Sequence, residues 1–189
     1  MALGKIFCST DLSKTIKMHI DNKMLLRINR DKLIDNEDII GFPISVSKNL
    51  LLMSCIVDFH DEGYVILRMS DILNAYSLES DAFYEKMCLE EGLKDKAFEQ
   101  DTLKSIVDIK DVLNQLIDYP GFISISCDLL DSELCFSIGK VVNVENGVVC
   151  FRHFTPDGIW ENNERNIPIE QITSIVFGDN YSKIYFKYM

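Results

Sequence analysis

Short apolar runs separated by tight polar turns recur along most of this chain, a pattern that predicts strands. In the second half the runs are Phe122-Ile123-Ser124-Ile125-Ser126, Val141 to Val144, Val148 to Phe154, Ile167 to Ile172 and Thr173 to Phe177. Val141–Val144 and Val148–Phe154 flank Glu145-Asn146-Gly147, and Asn-Gly between apolar runs is a strong hairpin signal because both residues tolerate positive φ. Near the start, Ile16, Met18 and Ile20 alternate with polar residues, so 15–20 reads as a strand carrying His19, turned by Asp21-Asn22 into the run Met24 to Ile28. Two segments read as helices. One is 80–91, with Ser80 as its N-cap and Gly92 as its stop. The other is 105–118, whose stripe of Ile109, Val112, Leu113, Leu116 and Ile117 is best used to cover the chain's own sheet.

The first half repeats the plan of the second. Gly41, the runs Ile44–Val46 and Leu50–Val57, a polar stretch from Asp58 to Gly63 and the runs Tyr64–Arg68 and Met69–Ile72 match Gly139 and its successors at near-constant spacing. Gly41 pairs with Gly139, Gly63 with Gly158 and Ile72 with Ile172. Small sheets of short strands must curl, because a flat one leaves its apolar face uncovered. The expected fold is therefore mainly β (α+β), with two tandem five-stranded barrels and two accessory helices. The expected domains are 1–93 and 102–189, with 94–101 as a polar linker.

The order of strands and the placement of turns resemble the Sm-like and SH3-like small barrels. Taken whole, the chain also resembles short, acidic bacterial proteins with the same pattern, a likeness that implies no activity. The Sm-like resemblance implies RNA binding through two loops and self-association through barrel edge strands. The corresponding turns, Asp58–Glu62 and Asp157–Glu164, are rich in acids, which repel phosphate.

Composition narrows the function further. Nineteen Lys and Arg against 30 Asp and Glu give a net charge of -11, unfavourable for nucleic acid. The six cysteines, Cys8, Cys55, Cys88, Cys127, Cys135 and Cys150, lack the C-x-x-C pairing of a zinc site; several fall inside apolar strands, Cys127, Cys135 and Cys150 read as buried, and all six read as reduced thiols of a cytoplasmic protein. Residues 1–9 have too short an apolar core for a signal peptide, and no run approaches a membrane span.

No Gly-x-Ser-x-Gly elbow, phosphate loop or His-Glu-x-x-His helix accompanies His19, His60 or His153. Asp58, His60, Asp61 and Glu62 could ligate a cation, but Gly63 falls after the acids instead of among them, so the run reads as a solvated turn. Trp160 lies among Asp157, Glu161 and amides, where it serves either as an interface anchor or as a plug of the barrel mouth. The expectation is a non-enzymatic protein-interaction or regulatory module, such as an acidic inhibitor or immunity-type protein that blocks a basic surface, with no cofactor or metal. Its candidate surface comprises Asp58, His60, Asp61, Glu62, Asp157, Trp160 and Glu161. The alternatives are an Sm-like RNA-binding protein and a metal-dependent hydrolase-type enzyme.

Overall fold

The computed structural model describes residues 11–31, 34, 37–130 and 135–189. Cys8 and the N-terminal residues 1–9 lie outside this part. The elements run α1 (Leu12–Asp21), β1 (Leu26–Arg30), β2 (Ile39–Val46), β3 (Leu50–Val57), β4 (His60–Arg68), β5 (Ile72–Tyr76), α2 (Asp81–Glu90), α3 (Leu93–Ala97) and α4 (Ile109–Gln115). The second half continues with β6 (Ile123–Ser126), β7 (Phe136–Glu145), β8 (Val148–His153), β9 (Arg165–Pro168), β10 (Ser174–Phe177) and α5 (Asn180–Tyr188).

The fold is mainly β, and its ten strands form one antiparallel sheet in the order β5-β1-β2-β3-β4-β10-β6-β7-β8-β9. This corrects the expectation of two closed barrels. The sheet is open, and β5 and β9 are its edges. An open edge on β4 would leave a row of unpaired backbone groups; β10 takes that place instead, with Leu67 opposite Ser174 and Tyr64 opposite Phe177. Within each half the order is nevertheless the same, the fifth strand lying beside the first.

The seam between the halves is clamped by arginines. Arg68 donates to the carbonyls of Ile172 (2.6 Å) and Ile169 (2.5 Å), and Arg30 donates to the carbonyl of Thr173 (3.2 Å). One apolar cluster crosses the seam, joining Leu50, Leu52 and Ile66 of the first half to Val112 and Leu113 of α4 and to Ile125, Phe151 and Ile175. The α4 stripe thus covers the chain's own core. A second cluster, with Leu51, Met53 and Leu67, packs under Ile16 of α1. Neighbouring β3 residues alternate between the two clusters, as a pleated strand buried on both faces requires.

Three local expectations need correction. Residues 15–20 are helical, because Asp11 caps the segment by accepting from the Lys14 N–H (3.3 Å) and His19 Nδ1 bonds the carbonyl of Thr15 one turn back (2.8 Å). Ile16 and His19 then share the buried face, and the alternation with Met18 and Ile20 is incidental. Helix α4 is shorter than 105–118: Asp108 caps it by accepting from Asp111 N–H (2.8 Å), while the Gln115 side chain binds the backbone of Lys104 and Ser105 in the preceding loop. Segment 94–101 contains most of α3, with Ala97 buried and Phe98 packed 5.9 Å from Phe42 between ring centres.

Candidate functional site

The acidic run at 58–63 is an exposed two-residue hairpin turn, in keeping with its reading as a solvated turn, followed by the start of a strand. Asp58 (φ 47°) and Phe59 (φ 61°) turn the chain, and His60 already pairs with Val57. Both turn residues take the left-handed conformation that suits the twist of flanking strands. Phe59 stacks on Tyr84 of α2 at 4.6 Å, which holds the turn against the helix. His60 is exposed, its Nδ1 2.9 Å from the carbonyl of Asp58.

Asp61 has a structural role. Its carboxylate accepts from the Gly63 N–H (3.0 Å) and pairs with Lys96 of α3 (2.8 Å) and Lys183 of α5 (3.7 Å). Burial pushes its pKa up, but the bonds from Lys96 and Gly63 and the charge of Lys183 outweigh it and hold the group below 3.8.

The β8–β9 connection, from Phe154 to Glu164, is also more ordered than its composition indicates. Thr155 N–H donates to the carbonyl of Ile159 (2.9 Å), Phe154 and Trp160 form a β-bridge, and Glu161 N–H donates to His153 (3.0 Å). Trp160 meets Phe122 and Phe154 edge-on, at 5.6 and 5.4 Å, while the Arg152 guanidinium lies 4.6 Å over its ring. It is half-buried within this aromatic group. Glu161 accepts two bonds from Arg165 (3.2 and 2.9 Å), which hold its pKa down, and it lies 4.0 Å from His153 Nε2. Asp157 is exposed at the tip.

The C-terminal helix reaches both regions. Lys183 pairs with Asp61, Tyr185 donates its hydroxyl to the carbonyl of Pro156 (2.8 Å), and Phe186 packs 5.2 Å from Phe122. Around this helix the seven candidate residues divide by role. Asp61, Trp160 and Glu161 hold the fold together, whereas Asp58, Glu62 and Asp157 are left to face outward with His60.

A groove of about 930 Å³ crosses β2, β3, β4 and β10. Its apolar lining includes Ile39, Cys55, Val57, Val65 and Val176, and its carboxylates are Glu37, Asp38, Asp58, Glu62 and Asp179. Among the described residues Arg30 is the only basic one in the lining. The smaller hollow beside α5 is lined by Asp157, Trp160 and Tyr188, so the two halves of the candidate surface face separate concavities.

No family model, curated protein or solved structure gives a significant match to this chain.

Among the described residues no group of three or more His, Cys, Asp or Glu side chains is arranged to hold a metal ion. Cys55, Cys88, Cys127, Cys135 and Cys150 are free thiols. Of the three expected to be buried, Cys127 is enclosed, Cys135 is exposed, and Cys150 is partly buried and donates to Glu164 (2.7 Å); Cys88 is also enclosed. Burial and that carboxylate push the Cys150 pKa up to about 11, and burial does the same for Cys127. No helix among the described residues is long and apolar enough to cross a membrane.

The residues missed in the sequence are Arg30, Arg68, Tyr84, Arg165 and Asp179. Arg30 and Arg68 end apolar strand runs in the ordinary way, and the carbonyls they bind lie in the other half of the chain, so no local signal marks them, whereas Arg165 opens β9 and pairs with Glu161 four residues before it.

Proposed function

We propose that this chain is a non-enzymatic protein-interaction module that works by strand addition at the open edges of its sheet. Its two halves are read as copies of one five-stranded unit of the Sm-like or SH3-like kind, opened and joined side by side. The observation that carries this reading is the seam, where the fourth strand of one half pairs with the fifth strand of the other. Among the described residues the sheet ends in the same two kinds of strand, β9 and β5, each bordered by a neighbouring strand on one side. A second copy of the chain offers the complementary edge at either end, so head-to-tail pairing of β9 with β5 reuses the geometry of the seam.

Exposed apolar side chains stand on β5 and in the connection that leads into β9: Leu73 and Ile159. The outer pairing lacks part of the seam's clamp. Pro168 ends β9 where Arg68 ends β4. Association is accordingly weaker than the internal joint and reversible. RNA binding is less well supported, because the first of the turns that would read bases carries Asp58 and Glu62, acids with no ion pair among the described residues.

Sedimentation velocity over a range of concentrations tests the proposal. Mass should rise in whole multiples of 21.7 kDa, and Leu73→Asp, which places a charge beside the β5 edge, should return the protein to monomer. A monomer at every concentration would reject strand addition between copies.

A further inference from the structure

We infer that the groove across β2, β3, β4 and β10 is a docking site for an extended basic segment of a partner protein, one in which Arg or Lys alternates with small apolar residues. This rests on the reading of the chain as an interaction module and is independent of pairing at the sheet edges.

The lining has two chemistries in separate places. Ile39, Cys55, Val65 and Val176 come from four adjacent strands and form an apolar floor that crosses the seam, while Val57, 56 % exposed, extends that floor toward the hairpin turn. Around the floor stand the five carboxylates. Asp38 already receives the side-chain amide of Asn29 and the Tyr76 hydroxyl. Glu37, Asp58 and Glu62 have no ion pair among the described residues, in contrast to Asp61 and Glu161, whose lysine and arginine partners are fixed. The Arg30 guanidinium, 4 % exposed, is turned to the Thr173 carbonyl at the seam.

Asp179 adds a separate observation. It lines the groove at the start of α5, is 7 % exposed, and uses Oδ2 to cap Ser182 (2.9 Å), while its Oδ1 is buried with no hydrogen-bond partner. A buried carboxylate oxygen without a donor is costly, so an arriving N–H or cationic group stabilises it.

These features select the ligand. An apolar floor favours hydrophobic side chains, and a rim of unpaired carboxylates favours cations, so a segment with both in alternation satisfies the two at once when it is extended. The half-buried ring of Tyr84, one face of which is stacked on Phe59, lines the groove together with Asp58 and leaves its other face for a guanidinium. At about 930 Å³ the space matches the upper end of ligand pockets, ~300–1,000 Å³. A phosphate-bearing ligand is disfavoured by the same carboxylates.

The test uses the full chain and a fluorescein-labelled peptide of alternating Arg and Val, read by anisotropy at moderate salt. Saturable one-to-one binding is expected, with no binding of the matched Glu–Val peptide. Asp58→Asn with Glu62→Gln should weaken it about tenfold. Glu145→Gln with Asp157→Asn makes the same charge change outside the groove and should leave it unchanged, as should Leu73→Asp at the sheet edge. An Arg–Ser peptide should bind more weakly than Arg–Val, and spermine at equal charge should compete poorly. The proposal is overturned if no saturable binding occurs, if both charge-neutralised pairs weaken the peptide equally, or if spermine or Arg–Ser matches Arg–Val. Thermal melts of each variant, with midpoints near that of the parent, keep a lost signal from being mistaken for misfolding.

Discussion

Gly41 and Gly139 meet the same obstacle in opposite halves of the sheet. A β-carbon on Gly41 would lie 1.8 Å from the carbonyl oxygen of Ser54, and one on Gly139 would lie 1.9 Å from that of Arg152. In each half a register shift follows two residues later, between Pro43 and Ser45 and between Val141 and Asn143. Close approach at a glycine followed by a bulge bends a strand sharply, so the two halves curl by the same device.

Replacing either glycine with alanine forces backbone apart. Each substitution should destabilise by about 3 kcal/mol, the upper part of the usual overpacking range. Gly139→Ala should cost more than Gly41→Ala, because Gly139 also has φ of 153°. Urea midpoints of the two variants decide this, and a near-parental midpoint for either would contradict the close approach.

Trp160→Ala removes a ring that contacts Phe122, Phe154 and Arg152. Because the ring is half-buried, the expected loss is about 3 kcal/mol, the low end of the range for large aromatics. Differential scanning calorimetry should record a clear drop in melting temperature. An unchanged midpoint would return Trp160 to the role of exposed interface anchor.

Arg68→Ala leaves the carbonyls of Ile169 and Ile172 without their guanidinium donor. The loss should be about 2–3 kcal/mol, as for hydrogen bonds from a charged group. Hydrogen exchange should then accelerate at β4 and β10 before it does so at β7 and β8. Uniform acceleration over the sheet would argue against a local clamp.

Two groups make stability depend on pH in different windows. Burial and the charge of Arg165 hold His153 below 6.5, against the opposing pull of Glu161 and the Ile138 carbonyl. Its contribution is complete above pH 6.5 and is lost as pH falls through the lowered folded pKa. Asp61 contributes fully above its unfolded pKa near 3.8 and loses that contribution as pH falls through its lower folded value. His153→Asn should flatten the urea midpoint between about pH 7 and 5. Asp61→Asn should flatten it only in stronger acid.

Thiol reactivity should follow exposure and ionisation. At mildly alkaline pH, iodoacetamide should reach the exposed Cys135 ahead of Cys127 and Cys150, whose thiols are pushed up to about 11. Peptide mapping by mass spectrometry gives the order, and early labelling of Cys150 would contradict its bond to Glu164.

What the sequence reveals here is what short-range chemistry governs. Asn146 and Gly147 specify the β7–β8 hairpin by their own φ preferences, and Gly41 and Gly139 match by position in the two halves before any contact is known, although the bends they permit do not show. Residues 15–20 defeat the period reading because Asp11, one turn upstream, decides the matter through its cap. The acids at 58–62 read as one cluster, yet pleating and distant lysines separate them: Asp61 is drawn to Lys96 and Lys183, while Asp58 and Glu62 line the groove. Trp160 stands in a polar loop and packs on Phe122, a neighbour that sequence distance conceals. The same distance hides the seam, since nothing near Arg68 identifies the carbonyl of Ile172 as its partner.

Pairing of β4 with β10 has a consequence for the order of folding. Loop closure over the chain between Leu67 and Ser174 is entropically costly, and contacts of such long range form slowly. The hairpins β3–β4 and β7–β8 are local and form early. Until β10 arrives, β4 is a bare template for any extended strand, so the refolding chain passes through a stage in which a neighbouring molecule's β10 competes with its own. Raising protein concentration during refolding should therefore favour dimers that have exchanged their last strand and helix, a hazard that the finished molecule does not carry.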